Sequence, residues 1–369
     1  MSSIDTDRIA AALPVARTPA DPESVELGAA TRSITAGRRS RARRRLAVLG
    51  VLGVVVVVLF SVTLMVGRTF YPPSDVIGVI LGHDVPGASF TVGRLRLPRA
   101  VLAVLAGTCF GLGGVTFQTM LRNPLASPDI IGISSGASAA AVFAIVILGL
   151  GGAQVSLFAI LAGIAVALAI YALAYRGGVL GTRLVLIGIG IAATLDAATS
   201  YILEKAPQWE LQEAMRWLAG SLNGASWEQT LPVLVASCVL VPVLLLLSRS
   251  LSILQLGDDT ASALGVRTEL TRVLLIVAAV GLIAFATSAT GPIAFVAFLA
   301  GPIAVRLVGP HGSPLIPAAM IGIILVLGAD LLGQFAFDTR FPVGVITGAL
   351  GAPYLVYLIA RTNRTGGSL

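Results

Sequence analysis

The chain has 369 residues, 56% of them hydrophobic and 12% charged, with a mean hydropathy of +0.93, which excludes an ordinary soluble domain and leaves lipid as the solvent for most of it. A net charge of +7 would suit nucleic-acid binding, but the cations gather in an N-terminal tail and in short loops beside apolar runs, the pattern of membrane topology. The only two cysteines, Cys109 and Cys238, both lie inside apolar runs, where packing is a better role for them than a disulfide or a metal site.

In chain order, residues 1–45 have no sustained apolar period and end in Arg38, Arg39, Arg41, Arg43, Arg44 and Arg45, which predicts a disordered basic tail. The first apolar run begins only at Leu46 and continues to about Val66, too late for a secretory signal, so it reads as an uncleaved helix with its N-terminus in the cytoplasm. Further apolar segments follow at about 97–119, 130–150, 154–174, 183–203, 230–248, 272–290, 293–308, 315–335 and 343–360. A crossing needs about 20 mostly apolar residues to span roughly 30 Å of hydrocarbon, and runs without strand alternation pair their backbone groups only as helices. The expected fold is therefore an all-α integral membrane protein with ten spans, N-in and C-in. That topology puts most basic residues inside and leaves Arg68, Arg94, Arg96, Arg99, Lys205, Arg216 and Arg340 outside, as the positive-inside rule requires. The segment at 293–308 is short and follows Gly291-Pro292, so a tilted or broken span is expected there.

Small residues at Gly107, Gly111 and Gly114, and again at Gly188 and Ala192, predict close helix crossings. Two acids fall within spans. Asp196 shares a helical face with Thr199 and Ser200, which predicts either local hydrogen bonding or a place on a polar pathway. Asp330 is expected to be structural. Chemistry is otherwise scarce: the sole lysine, Lys205, stands outside any Gly-rich phosphate loop, and the two histidines, His83 and His311, are far apart, so neither ATP hydrolysis nor a metal site is expected of this chain.

Between the sixth and seventh spans, the stretch from Ser250 to Glu269 is more than a connector. Asp258 or Asp259 can cap a short helix whose apolar positions Ala261, Ala263 and Leu264 end at Gly265, a natural C′ residue. Without bulky aromatics or a cationic face it does not suit lipid headgroups. It predicts a docking element for another protein on the inner surface.

Several motifs together resemble one family. Arg94-Leu-Arg-Leu-Pro-Arg99, Gln118, the run from Leu121 to Ala137 (LRNPLASPDIIGISSGA), the loop Leu256 to Val266 (LGDDTASALGV), Gly291 to Val296 (GPIAFV) and Phe341 to Pro353 (FPVGVITGALGAP) are similar to the FecCD-type permeases, the ABC importers of ferric siderophores, haem and cobalamin. The resemblance covers roughly residues 46–361. It implies a transmembrane permease domain over 46–361, with the tail 1–45 before it and a short cytoplasmic tail 362–369 after it. It implies a dimer with an identical or paralogous permease, two cytoplasmic ATPase subunits that bind ATP and Mg, and an extracytoplasmic substrate-binding lipoprotein. Residue by residue, it implies binding-protein docking at Arg96 and Arg99. A third outer arginine expected near Gln334 is missing, and Arg340 stands nearby in its place. It further implies ATPase coupling through Leu256, Gly257, Asp258, Ala261, Leu264 and Gly265, and a cytoplasmic gate at Gly181 and Thr182, where Gly181 replaces an expected hydroxyl residue. The runs at 186–190 and 199–201 look most like enterobactin-type siderophore permeases of the bacterial plasma membrane. A haem or cobalamin permease, or a secondary transporter of a small organic solute, are the alternatives.

Overall fold

The computed structural model describes residues 22–127, 132–175, 181–309 and 312–364. Among them every regular element is helical: α1 (Pro22–Met65), α2 (Pro73–Ile80), α3 (Ala88–Phe90), α4 (Leu97–Met120), α5 (Ile133–Val146), α6 (Ala153–Ala174), α7 (Gly181–Lys205), α8 (Gln208–Leu218), α9 (Trp227–Leu246), α10 (Ser248–Leu254), α11 (Asp258–Ala263), α12 (Thr268–Thr290), α13 (Val296–Val308), α14 (Leu315–Phe335) and α15 (Val343–Arg364). A π-helical turn, Thr91–Arg96, joins α3 to α4. Two compact units divide the chain, one ending at Ala47 and the other running Val48–Leu369. In the first, the described residues are helical from Pro22, within the segment expected as a tail, and Arg38, Arg39, Arg41, Arg43 and Arg44 are exposed. Residues 1–21, His311 and residues 365–369 lie outside the described residues, as do 128–131 of the motif at 121–137.

Among the described residues seven helices are long and apolar enough to cross a membrane, and Ile133–Val146, Val296–Val308 and Val343–Leu358 are shorter apolar helices. The second unit is built around α4, whose span is 83% buried against 11% for that of α7. Lipid tails provide no hydrophobic drive for helix association, so close backbone approach has to supply it. The glycines of α4 do so against two neighbouring helices. A Cβ on Gly107 would stand 2.6 Å from the Gly322 carbonyl oxygen and the Ile323 amide nitrogen of α14, and one on Gly111 would meet the Ala318 carbonyl. Further along the same face a Cβ on Gly114 would meet the Ala297 carbonyl of α13. Cys109 is buried in the same helix and lies 3.3 Å from Ser237 Oγ on α9, while Cys238 is exposed.

Between α12 and α13 the helical path is broken by a short non-helical segment. Gly291 (φ 68°) and Phe295 (φ 64°) are both in the left-handed region, which strains a phenylalanine. Neighbours take up the freed polar groups: Ser221 N–H donates to the Thr290 carbonyl at 2.7 Å, and Thr290 Oγ1 donates to the Gly291 carbonyl at 2.8 Å. The Phe295 side chain packs where Gly351 of α15 leaves room, since a Cβ there would strike its ring, and edge-on against Phe298, 6.2 Å between centroids. This non-helical segment lines a cavity.

Candidate functional site

A cavity of about 560 Å³ lies between α5, α7, the broken segment and α15, within the size range of pockets for small molecules. Ser134, Ser135 and Ser138 of α5 line it, with Ser127 just before that helix. From α7 come Asp196, Thr199, Ser200 and Leu203, and from the broken segment Pro292, Ala294, Phe295 and, one turn on, Phe298. The i, i+1, i+4 spacing of the α5 serines turns them to one helical face, a signal legible in the SSGAS run that sequence reasoning left unused. Gly132, left-handed at φ 92° in front of α5, lets that helix start against α7, because a Cβ on it would lie 3.1 Å from the Gly188 carbonyl and 3.2 Å from Ala192 Cβ.

Asp196, Thr199 and Ser200 thus meet at one cavity, but not through the bonds expected of them. Thr199 Oγ1 donates to the Leu195 carbonyl at 2.8 Å and Ser200 Oγ to the Asp196 carbonyl at 2.9 Å. Both hydroxyls satisfy the helix backbone one turn back, so the expected hydrogen bond to the Asp196 carboxylate does not form. Among the described residues that carboxylate has no hydrogen bond or ion pair, and it is exposed at the cavity. Gly181 and Thr182 form the start of α7. Their side chains lie outside the described residues.

At the N-terminal end of α4 the two arginines expected to be free cations are engaged within the chain. Arg99 holds Asp330 of α14 through Nε (3.0 Å) and Nη2 (2.7 Å), and its Nη1 donates to Asn223 Oδ1 at 2.8 Å. Gln334 Nε2 donates to the same carboxylate at 2.7 Å. Asp330 is 1% exposed and the Arg99 side chain 18%. Paired and charge-assisted on several sides, the carboxylate is tolerable in the interior. Arg96 donates to the carbonyls of Leu64 and Met65, both at 2.9 Å, and of Thr69 at 2.7 Å, and lies over the Tyr71 ring. It ties the end of α1 to α4. Exposed cations at this end include Arg68 and Arg94, joined after α14 by Arg340. The structural role expected of Asp330 came without its partner Arg99, because pairs far apart in sequence carry no local pattern.

The loop expected to dock a partner lies at the other end of α4, about 36 Å away at 1.5 Å per residue, since Arg122, just past α4, donates to the Leu254 carbonyl at 3.0 Å. Its helix, α11, starts after Gly257 and closes in a Schellman turn: Gly265 N–H donates to the Ser262 carbonyl and Val266 N–H to that of Ala261, with Gly265 at φ 83° in the C′ place. Two expectations are corrected here. Gly257 occupies the N-cap with no side-chain cap bond, because the Asp258 carboxylate is taken by Arg272 at 2.8 and 3.0 Å. Ala261 is not exposed but 0% accessible, packed into the chain's own core. The apolar residues α11 offers outward are Ala263 and Leu264, with Leu256 before it; Leu264 is 59% exposed and Leu256 61%.

The sequence profile of the FecCD transport family matches residues 54–361. The chain is 41% identical over 323 residues to the achromobactin transport system permease protein CbrC of Dickeya dadantii, covering 86% of this chain and 91% of that protein. It is 38% identical over 299 residues to the ferric enterobactin transport system permease protein FepG of Escherichia coli, covering 81% and 91%. To FepD of the same organism and system it is 35% identical, covering 88% and 97%. Among solved structures, an inward-facing metal-chelate type ABC transporter superimposes with a TM-score of 0.76 at 27% identity, covering 85% of this chain and 99% of that one.

Proposed function

The chain belongs to the FecCD transport family, and on that premise we propose that it carries a ferric siderophore across the bacterial plasma membrane as the permease subunit of an ATP-binding-cassette importer. The observation that carries this reading is the cavity beside the broken span, with a wall of hydroxyls, two phenylalanines and one carboxylate. Such a wall offers a bulky polar chelate many weak contacts and no strong one, which suits passage better than retention. The proposed topology is ten spans, seven long and three short, with both termini in the cytoplasm, the permease domain covering 46–361 between tails 1–45 and 362–369. ATP and Mg belong to two ATPase subunits, and a second permease, identical or paralogous, closes the open side of the cavity. The pairing of FepG with FepD in one transport system supports the paralogous arrangement. The haem and cobalamin alternatives have less support, since the relatives named above carry siderophore names.

The test is uptake of radioactive iron, as ferric siderophore, by cells in which this permease and its neighbouring ATPase and binding protein are the sole route. Uptake should vanish when the ATPase is inactivated. Uptake that survives ATPase loss and follows an ion gradient would instead support a secondary transporter.

In this reading α11 docks in a groove of the ATPase through Leu256 and Leu264. Leu264→Asp should leave the membrane level of the permease unchanged while co-purification of the ATPase and uptake both fall, at least tenfold, because an unpaired charge is then buried at the interface. Ala261→Asp is a different experiment: it charges the chain's own core and should lower the amount of folded protein. Unchanged uptake in the Leu264 variant would remove α11 from the interface.

The binding protein docks at the opposite end, where Arg340 with Arg68 and Arg94 presents exposed positive charge and Arg96 and Arg99 shape the rim beneath. Rim charges act on encounter rate more than on the bound state. Arg340→Glu is expected to slow association of the binding protein severalfold at low ionic strength, and the difference should shrink toward 1 M salt, where the Debye length is about 3 Å. Equal association rates at low salt would mark Arg340 as a lipid-interface anchor.

A further inference from the structure

Asp196 is the sole ionisable side chain among the described residues that line the cavity, and no lysine or arginine faces it there. Within the described residues its carboxylate meets neither hydrogen-bond donor nor cation, because the neighbouring hydroxyls of Thr199 and Ser200 are bonded to backbone carbonyls instead. A buried acid kept for structure finds partners, as Asp330 does with Arg99 and Gln334. Asp196 stands in the opposite condition, exposed and unpaired on a helix that otherwise reads as a span. An acid in a span costs roughly 2.5–3.5 kcal/mol of insertion free energy on translocon scales, and here no structural bond offsets it. The lining that surrounds it is neutral, so its field acts on whatever occupies the cavity.

We infer that Asp196 selects the cargo by charge, favouring neutral or cationic ferric chelates, such as trihydroxamates, over anionic ones, such as tris-catecholates. The inference rests on the cargo reading above and deepens it. Coulomb energy is linear in the charge of the cargo, so exchanging a singly cationic for a triply anionic complex multiplies the effect of one carboxylate by the difference between the two charges. A wall of hydroxyls around an exposed carboxylate gives a high effective dielectric, which together with salt reduces each unit interaction to a fraction of its bare value. The sum still shifts relative passage by roughly three- to tenfold. If the second permease is an identical copy, it brings a second carboxylate and strengthens the effect.

The test compares radioactive-iron uptake from two probes, a ferric trihydroxamate with one pendant ammonium and a ferric tris-catecholate, in cells where this permease is the sole siderophore route. Both probes are measured for the wild type, Asp196→Asn and Asp196→Glu, normalised to permease in the membrane. The preference of the binding protein is common to all strains and cancels in the ratio between variants. Asp196→Asn should raise the catecholate-to-hydroxamate uptake ratio about three- to tenfold, and Asp196→Glu, which keeps the charge, should retain the wild-type ratio. An unchanged ratio in the Asn variant at normal protein level overturns the inference while leaving the siderophore reading intact. A shift of the ratio in the Glu variant as large as in the Asn variant also overturns it, since shape would then be the cause. If the wild type takes up neither probe nor any other ferric chelate, the siderophore reading itself fails, and this inference with it.

Discussion

Arg99→Ala is expected to remove most of the folded permease from the membrane. The substitution strands the Asp330 carboxylate, 1% exposed, with only Gln334 to hold the charge, and breaking one side of a buried pair costs about 3–5 kcal/mol. Asn223 Oδ1 also loses its donor. Thermal midpoint and detergent-extractable monodisperse protein are the measurements. Asp330→Asn should cost much less than Arg99→Ala, since it removes the charge and keeps an acceptor for Arg99, while the double variant Arg99→Met, Asp330→Leu should recover much of the loss by making the site uniformly apolar. If Arg99→Ala instead folds normally and loses only affinity for the binding protein, the guanidinium is a docking group and the ion pair is incidental.

Gly107→Leu should be as damaging by a different route. Its side chain would have to occupy the space filled by the backbone of Gly322 and Ile323, 2.6 Å from the Cβ position. Backbone cannot move aside as the tip of a side chain can. Overpacking typically costs about 1–3 kcal/mol, and here the helices α4 and α14 must separate, disturbing the Arg99–Asp330 pair that spans the same crossing. Gly107→Ala is expected to lower the thermal midpoint measurably, and Gly107→Leu to yield no monodisperse protein. Gly190→Ala, on the exposed face of α7 with nothing within 4 Å of its Cβ position, serves as the control and should be silent in stability. Normal yield for Gly107→Leu would mean that α4 and α14 can part without loss of the fold.

Membrane class, the position of most spans and the family were all legible in the residues. A run of about 20 apolar residues has few fates in lipid, and motifs separated by tens of residues in a fixed order identify a family without any knowledge of contacts. The interruption before α13 was legible too, because Gly291-Pro292 removes a backbone donor and permits a left-handed turn. Gly265 and its Schellman turn were visible for a similar reason: both depend on residues fewer than six apart.

What the structure alone decided are the partners of charged and small side chains. Arg99 and Asp330 are 231 residues apart, and the pairing follows from α4 lying against α14, so the family resemblance that implied a docking role for Arg99 could not reveal it. The exposure expected of Ala261 failed because α11 packs its inner face on the same unit that presents its outer face. Asp196 was placed near Thr199 and Ser200 correctly by helical spacing, yet spacing does not say where a hydroxyl donates. The carbonyl one turn back is always within reach and offers better geometry than a carboxylate that points into a cavity. Sequence by itself therefore determined the solvent, the helices and the family, since those depend on local composition and on order along the chain. Tertiary structure decided which charges are paired and which face open space, because pairing depends on distances between helices that no single helix encodes.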